Sequence, residues 1–200
     1  MNIQYEKITI QDLDQMAEIY TRYLNSGENI HEYVEEGMRD PGFVGYKAVD
    51  HGEVVGVLTG RSGIDFTYPH PELEQRLREQ FPEEKIYTPD ALVVKDEYRG
   101  HPFAFELGRR LIRDVYALGY EYLLTELWIY PNGHIPAEHI VKDWGPIVFQ
   151  EDIAGFYSDL ETYHMTCPVC GTHCTCGARI LVVQTDGTLH IQKGGEHHAE

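Results

Sequence analysis

All four cysteines of this 200-residue chain fall within the stretch CPVCGTHCTCG, which begins at Cys167. Cys167-x-x-Cys170 and Cys174-x-Cys176 supply four thiolates on two tight turns, and glycines at 171 and 177 let the chain fold back between them. Soft ligands at that spacing suit tetrahedral zinc, and CPVCG has the form of half a zinc knuckle. An iron–sulfur cluster or a thiol redox pair would draw on the same residues, although the C-x-C pair is tight for a cluster. Four thiolates close the zinc tetrahedron and leave no position for substrate, so the expectation is a structural clasp over residues 164–177 rather than a catalytic centre. His164 and His173 could each replace one sulfur; the alternative is that both are exposed loop histidines.

A second stretch, Val94-Lys95-Asp96-Glu97-Tyr98-Arg99-Gly100-His101-Pro102-Phe103-Ala104, joins the apolar run DALVV to a long amphipathic segment. Such strand-to-helix junctions bind anions. The first N–H groups of a helix have no intrahelical acceptor and the helix dipole adds partial positive charge, so a diphosphate can sit there. Arg99 would contribute a full charge. A plain turn before a helix is the alternative reading of the same residues.

The elements that position these residues follow from periodicity. ITIQDLDQMAEIYTRYL opens as a short strand and continues as a helix with Leu13, Met16, Ala17, Tyr20 and Leu24 on one face, capped by Thr9 or Asp12. IHEYVEEGMRD is a second helix, stopped by Pro41 and Gly42. FVGYKAV and VVGVLTG flank the turn Asp50-His51-Gly52-Glu53 as a β-hairpin. PHPELEQRLREQFPEEK is rich in helix formers but poor in apolar residues, which predicts a surface insertion between two strands. DALVV is a buried strand. FAFELGRRLIRDVYALG is a helix with Ala104, Leu107, Leu111, Val115 and Leu118 inward, ended by Gly119. YLLTELWIY is a further strand, followed by the loop PNGHIP and the short helix AEHIVKDWG. Only the tail, KGGEHHAE, has a disordered composition.

Taken together, VVKDEYRGHPFAFELGRRLI resembles the signature Arg/Gln-x-x-Gly-x-Gly/Ala of the GCN5-related N-acetyltransferase superfamily, with Arg99 and Ala104 in its first and last positions. Gly56 in VVGVL is similar to a hairpin glycine of that family. Asn132, Ala137, Ile140 and Gly145 match its Asn-x-x-Ala-x-x-Leu-Tyr-x-x-x-Gly pattern, with two extra residues after the asparagine. GFYSDL and ARILVV resemble its last two strand regions. The resemblance spans residues 3 to 183 in element order and implies an α/β fold, a mixed central sheet with flanking helices. The implied domain covers residues 1–183, with the knuckle inserted at 164–177 and a short extension at 184–200.

The resemblance further implies acetyl-coenzyme A as co-substrate, bound by Val94, Arg99, Gly100, His101, Phe103, Ala104 and Asn132, and an N-acetyltransferase acting on a primary amine. Acetyl transfer to an amine needs a base to take the amine proton and an acid to protonate the leaving thiolate. Family members hold the thioester between splayed strands, here DALVV and YLLTELWIY. Glu126 and Asp90 are the candidate proton acceptors and Tyr157 or Tyr130 the candidate acid; each also has a plain reading as a strand, turn or packing residue. Two departures from the pattern are visible. Pro102 replaces the middle glycine and offers no N–H, and Val141 stands where many members carry an acid tyrosine. They motivate a rival reading: a catalytically inactive binding or regulatory protein that uses the knuckle to recognise a partner.

The chain carries 33 Asp and Glu against 16 Lys and Arg, a net charge of −17, which disfavours nucleic acid and anionic lipid. No segment approaches the ~18 uninterrupted apolar residues of a membrane span and the N-terminus has no signal-peptide pattern, so the expected setting is cytoplasmic. A homodimer is left open. Arg99, Arg109, Arg110 and Arg113 gather on the proposed cofactor helix, leaving an acidic remainder that favours a cationic amine as acceptor.

Overall fold

The computed structural model describes residues 2–24, 27 and 29–190. Their strands form one seven-stranded sheet: β1 (Gln4–Lys7), β2 (Val44–Asp50), β3 (Glu53–Ser62), β4 (Ile86–Val94), β5 (Tyr122–Ile129), β6 (Ile147–Ile153) and β7 (Gly177–Gln184). Their order is β1-β2-β3-β4-β5-β7-β6, antiparallel throughout except between β4 and β5. The turn between β2 and β3 works as the sequence predicts, because His51 and Gly52 both take positive φ, 51° and 83°, as a two-residue hairpin turn requires.

Helices cover both faces. On one, α4 (Phe103–Ala117) and the short α5 (Glu138–Val141) pack on Tyr46, Val55, Leu58, Tyr87, Leu123, Leu127 and Leu181. On the other, α1 (Leu13–Tyr23) and α2 (Ile30–Arg39) cover Val54, Val57, Ala91 and Val93 of β3 and β4. Further along that face, α3 (Pro71–Gln80) covers Leu124, Ile180 and Val182 of β5 and β7 together with Cys167, Cys174 and Cys176. Alternation along each strand sends successive side chains to opposite faces, which is how one sheet serves all of these helices.

Four sequence readings need correction. The first strand is Gln4–Lys7, and the residues after it, Ile10–Asp12, form a 3-10 turn in which the Thr9 N–H donates to the Asp12 carboxylate at 2.8 Å. GFYSDL is not a strand. It is a run of turns, and the strand lies earlier, at Ile147–Ile153. Leu118 does not join the buried face of α4 but is 66% exposed, since the helix has ended and Gly119 turns the chain away with φ 97°. The inserted helix α3 is not wholly superficial, because Leu73 and Leu77 are buried. The described part of the 184–200 extension folds back on the domain: Thr185 N–H donates to the Glu121 carbonyl and Leu189 packs on the α4 core. The tail KGGEHHAE lies outside the described residues. No helix among the described residues is long and apolar enough to cross a membrane.

Candidate active site

The site begins with a failure of pairing. β4 and β5 are in register only at Ile86↔Tyr122 and Tyr87↔Leu123; beyond these pairs the strands diverge. The sequence of β4 explains why. Pro89 cannot donate to a ladder, and opposite it the pairing slips, with Thr59 facing Ala91 and Gly60 facing Pro89, so that Asp90 is the extra residue of a bulge. Gly60 permits the close approach. A Cβ there would lie 2.5 Å from the Tyr87 ring, 2.6 Å from the Thr88 carbonyl oxygen and 2.9 Å from the Pro89 Cα.

Asp90 thus stands at the opening. Protein surrounds it on most sides yet its surface stays open to solvent, as expected of a residue in a cleft. Its carboxylate accepts a hydrogen bond from the Tyr20 hydroxyl at 3.2 Å, and Tyr20 also meets Thr59 Oγ1 at 2.7 Å. Burial raises the Asp90 pKa against the opposing effects of Arg61 and Tyr20. Arg61 donates to the Tyr33 hydroxyl at 3.1 Å and pairs with Asp65 at 3.1 Å. Tyr20, Tyr33, Arg61 and Asp90 line one recess between the sheet and the first two helices.

Glu126 lies on the other diverging strand. It accepts from the Thr67 N–H at 2.9 Å and the Thr67 hydroxyl at 2.5 Å, one donor to each carboxylate oxygen. Burial raises its pKa, opposed by those donors and by Tyr157, with Asp90 raising it further. Tyr157 is 1% exposed, and its ring meets Trp128 edge to face at 5.5 Å. Its hydroxyl is buried with no partner in hydrogen-bond geometry, although the Glu126 charge acts on it. The structure therefore brings Asp90, Glu126 and Tyr157 into one electrostatic neighbourhood. Tyr130 is set apart, in the turn where its N–H bonds the His134 carbonyl. Sequence reasoning missed Thr67, Tyr20 and Arg61. Pro89 inside a strand was the available signal for the bulge.

At the end of β4 the chain passes through Val94, a half-buried residue, into the loop before α4. Gly100 has φ 80°, with open space around it, and Arg99 and His101 are exposed. Pro102 is the N-cap and supplies no side-chain cap; the first helical bonds run from the Phe105 and Glu106 N–H groups to its carbonyl, so the amides of Phe103 and Ala104 precede them. Gly56 leaves room for this start, since a Cβ there would come 3.3 Å from the Phe103 ring. Arg99 pairs with Asp96 at 2.9 Å. The other arginines of the helix are also partnered, Arg109 and Arg110 with Glu106 and Arg113 with Asp114, which weakens the expected concentration of positive charge. Asn132 lies in the exposed loop after β5, where its side-chain oxygen accepts from the His134 N–H at 3.0 Å. Val141, 1% exposed, packs in the α4 core rather than facing the opening.

The cysteines converge as their spacing predicts. The four sulfurs lie within 4.8 Å of one another, against about 3.8 Å between ligands of a tetrahedron with ~2.3 Å zinc–sulfur bonds. None is in a disulfide. Cys167 and Gly171 exchange backbone hydrogen bonds at 3.2 and 2.9 Å, closing the first turn, and the N–H groups of Val169 and Cys176 point to the sulfurs of Cys167 and Cys174 at 3.4 Å. The Thr175 N–H brings the Cys170 thiol down to about 7, while burial pushes the Cys174 and Cys176 thiols up. His164 and His173 are exposed and stand outside the group of four. The cluster abuts the proposed acid, because the Tyr157 N–H donates to the Cys176 carbonyl at 3.4 Å.

No known protein-family profile matches the chain, and no curated protein sequence does. Solved structures do. Arabidopsis thaliana NAA60 in complex with acetyl-CoA superposes with a TM-score of 0.66 at 15% identity, over 92% of this chain and 98% of that one. The ribosomal-protein-S18-alanine N-acetyltransferase of Escherichia coli gives 0.61 at 11% identity over all of both chains. An aminoglycoside 6'-acetyltransferase type Ii gives 0.55 at 17% identity, over 92% of this chain and 97% of that one. The fold is that of the GCN5-related N-acetyltransferases.

Proposed function

We propose that the protein is an N-acetyltransferase that moves an acetyl group from acetyl-coenzyme A to a primary amine, and that a structural zinc ion binds Cys167, Cys170, Cys174 and Cys176. The observation that carries the enzymatic reading is the divergence of β4 from β5 after two residue pairs, with Asp90 on one strand and Glu126 on the other. In this reading Arg99 and the amides of Gly100, His101, Phe103 and Ala104 hold the diphosphate, and Val94 lies along the arm. Asn132 shapes the neighbouring loop.

Asp90 or Glu126 accepts the amine proton as nitrogen attacks the thioester carbonyl. Both have pKa values raised by burial, which makes their carboxylates stronger bases. When the carbon–sulfur bond breaks, the Tyr157 hydroxyl gives its proton to the thiolate. An acceptor that is an ammonium before proton loss suits the Asp90 recess, where the charge of Arg61 is already paired with Asp65. A second reading, a binding protein without turnover, is favoured by Pro102 at the diphosphate loop and by the buried Val141. Thioester cleavage measured with a panel of amines, small molecules and peptides, separates the two. Acetyl-CoA-dependent acetylation of one amine class is expected. Tight coenzyme A binding with no turnover on any amine would leave only the second reading standing.

A further inference from the structure

We propose that Thr67 is a positioning residue for proton transfer, holding the Glu126 carboxylate in a single orientation at the opening between β4 and β5. The proposal rests on the acetyltransferase reading above. Its basis is geometric. Thr67 lies in the connection between β3 and α3, just before the stretch 69–85 that the sequence presents as an insertion, yet it supplies both a backbone and a side-chain donor to Glu126, at 2.9 and 2.5 Å. One residue that grips both carboxylate oxygens fixes the plane of the carboxylate and its distance from neighbours.

The connection is itself anchored on both sides of the opening, so that it can hold this position. The Thr88 hydroxyl of β4 donates to the Gly63 carbonyl at 2.6 Å, and Gly63 N–H donates to the Ile86 carbonyl at 2.9 Å. Asp65 pairs with Arg61 of β3. Beyond Thr67, the Tyr68 hydroxyl donates to the Phe156 carbonyl, and His70 stacks on the Phe156 ring at 3.8 Å. The segment therefore runs from β4, past Glu126 on β5, to the turn that carries Tyr157. A surface loop serving only to connect β3 to α3 has no need to satisfy a half-buried carboxylate on a distant strand.

The groups that bear on Glu126 are few. Asp90 of β4 raises its pKa, the Thr67 donors and Tyr157 lower it, and Tyr68 lies within electrostatic reach. On β7 the residue opposite is the apolar Ile180. Donors to a carboxylate favour its charged form, so removal of the Thr67 hydroxyl moves its titration upward.

The test compares wild type, Thr67→Val and Thr67→Ser by carbon-13 titration of glutamate carboxyls, with the Glu126 signal assigned from Glu126→Gln, and by the pH dependence of turnover. Valine keeps the shape and removes the donor. In Thr67→Val the Glu126 midpoint should rise by about one pH unit, tenfold in proton affinity. The acid limb of the rate profile should move with it. We expect kcat to fall about tenfold with KM for acetyl-CoA unchanged, and Thr67→Ser to restore both. An unshifted Glu126 midpoint in Thr67→Val overturns the proposal, and so does a shifted midpoint with an unmoved acid limb. A wild-type protein inactive on every amine refutes the acetyl-transfer reading instead, and the carbon titration still reports separately whether Thr67 holds Glu126.

Discussion

Replacing Gly60 with alanine should collapse the bulge that sets Asp90 at the opening. The added methyl would meet the Tyr87 ring at 2.5 Å, the Thr88 carbonyl oxygen at 2.6 Å and the Pro89 Cα at 2.9 Å. Two of those three atoms are backbone and cannot rotate away, so β4 has to move by most of an ångström. Overpacking of this kind costs about 1–3 kcal/mol. Alanine for glycine returns about 0.4–1 kcal/mol by restricting the unfolded chain, and the central values, about 2 against about 0.7, leave a net loss of about 1.3 kcal/mol. For a domain of this size that lowers Tm by roughly 3–5 °C. Activity should fall more than stability, because β4 carries Asp90 and pairs with β5 only at Ile86 and Tyr87. Gly56→Ala should be the milder change, since its methyl would find nothing nearer than 3.3 Å. The assay is a thermal melt with acetyl-transfer rates measured well below Tm. A Gly60→Ala protein with wild-type Tm and rate would refute the assignment of the bulge as the device that opens the sheet.

Other outcomes follow from the same geometry. Purified protein should contain about one zinc per chain by elemental analysis, and Cys176→Ser should lower both zinc content and Tm; iron with acid-labile sulfide would overturn the zinc reading. Arg99→Glu should weaken coenzyme A binding roughly 10- to 100-fold by calorimetry, with the larger effect at low salt, and equal binding would displace Arg99 from the diphosphate site. Tyr157→Phe should reduce kcat by about 10²–10⁴ if its hydroxyl is the acid, with little change in Tm, because the buried hydroxyl makes only a loose contact with Glu126. A fall in Tm with unchanged kcat would make Tyr157 a packing residue.

Local signals in the sequence are legible where a single residue type enforces the conformation. Gly52 and Gly119 take the positive φ their turns require, and the cysteine spacing alone brings four sulfurs together. The junction before α4 was legible for the same reason. What escaped were features made by tertiary contact. Phe156 and Tyr157 read as a strand because they are apolar, but they are apolar because they are buried beside α3 and the cysteines. The real strand, β6, is an edge strand whose residues are largely exposed, so its periodic signal was faint. Thr67 was invisible because hydrogen bonding to a residue 59 positions away leaves no mark on its neighbours. Leu118 fits the helical period of the sequence but stands one residue past the last turn of the helix.

The short register between β4 and β5 has a mechanical consequence. A sheet joined at two residue pairs is close to two plates on a hinge, β1 to β4 on one side and β5, β7 and β6 on the other. Two helices brace that hinge, α4 across one face, where it packs on both plates, and on the other face α3. The latter departs from β3, on the first plate, and lies on the second, where Leu73 and Leu77 pack with Leu124, Ile180 and Val182 and Arg76 ties to Glu151 of β6 at 2.9 Å. The insertion therefore acts as a strut. With α4 it supplies the stiffness that the missing ladder withholds, and the angle between the plates is set by side-chain packing rather than by backbone pairing along the seam.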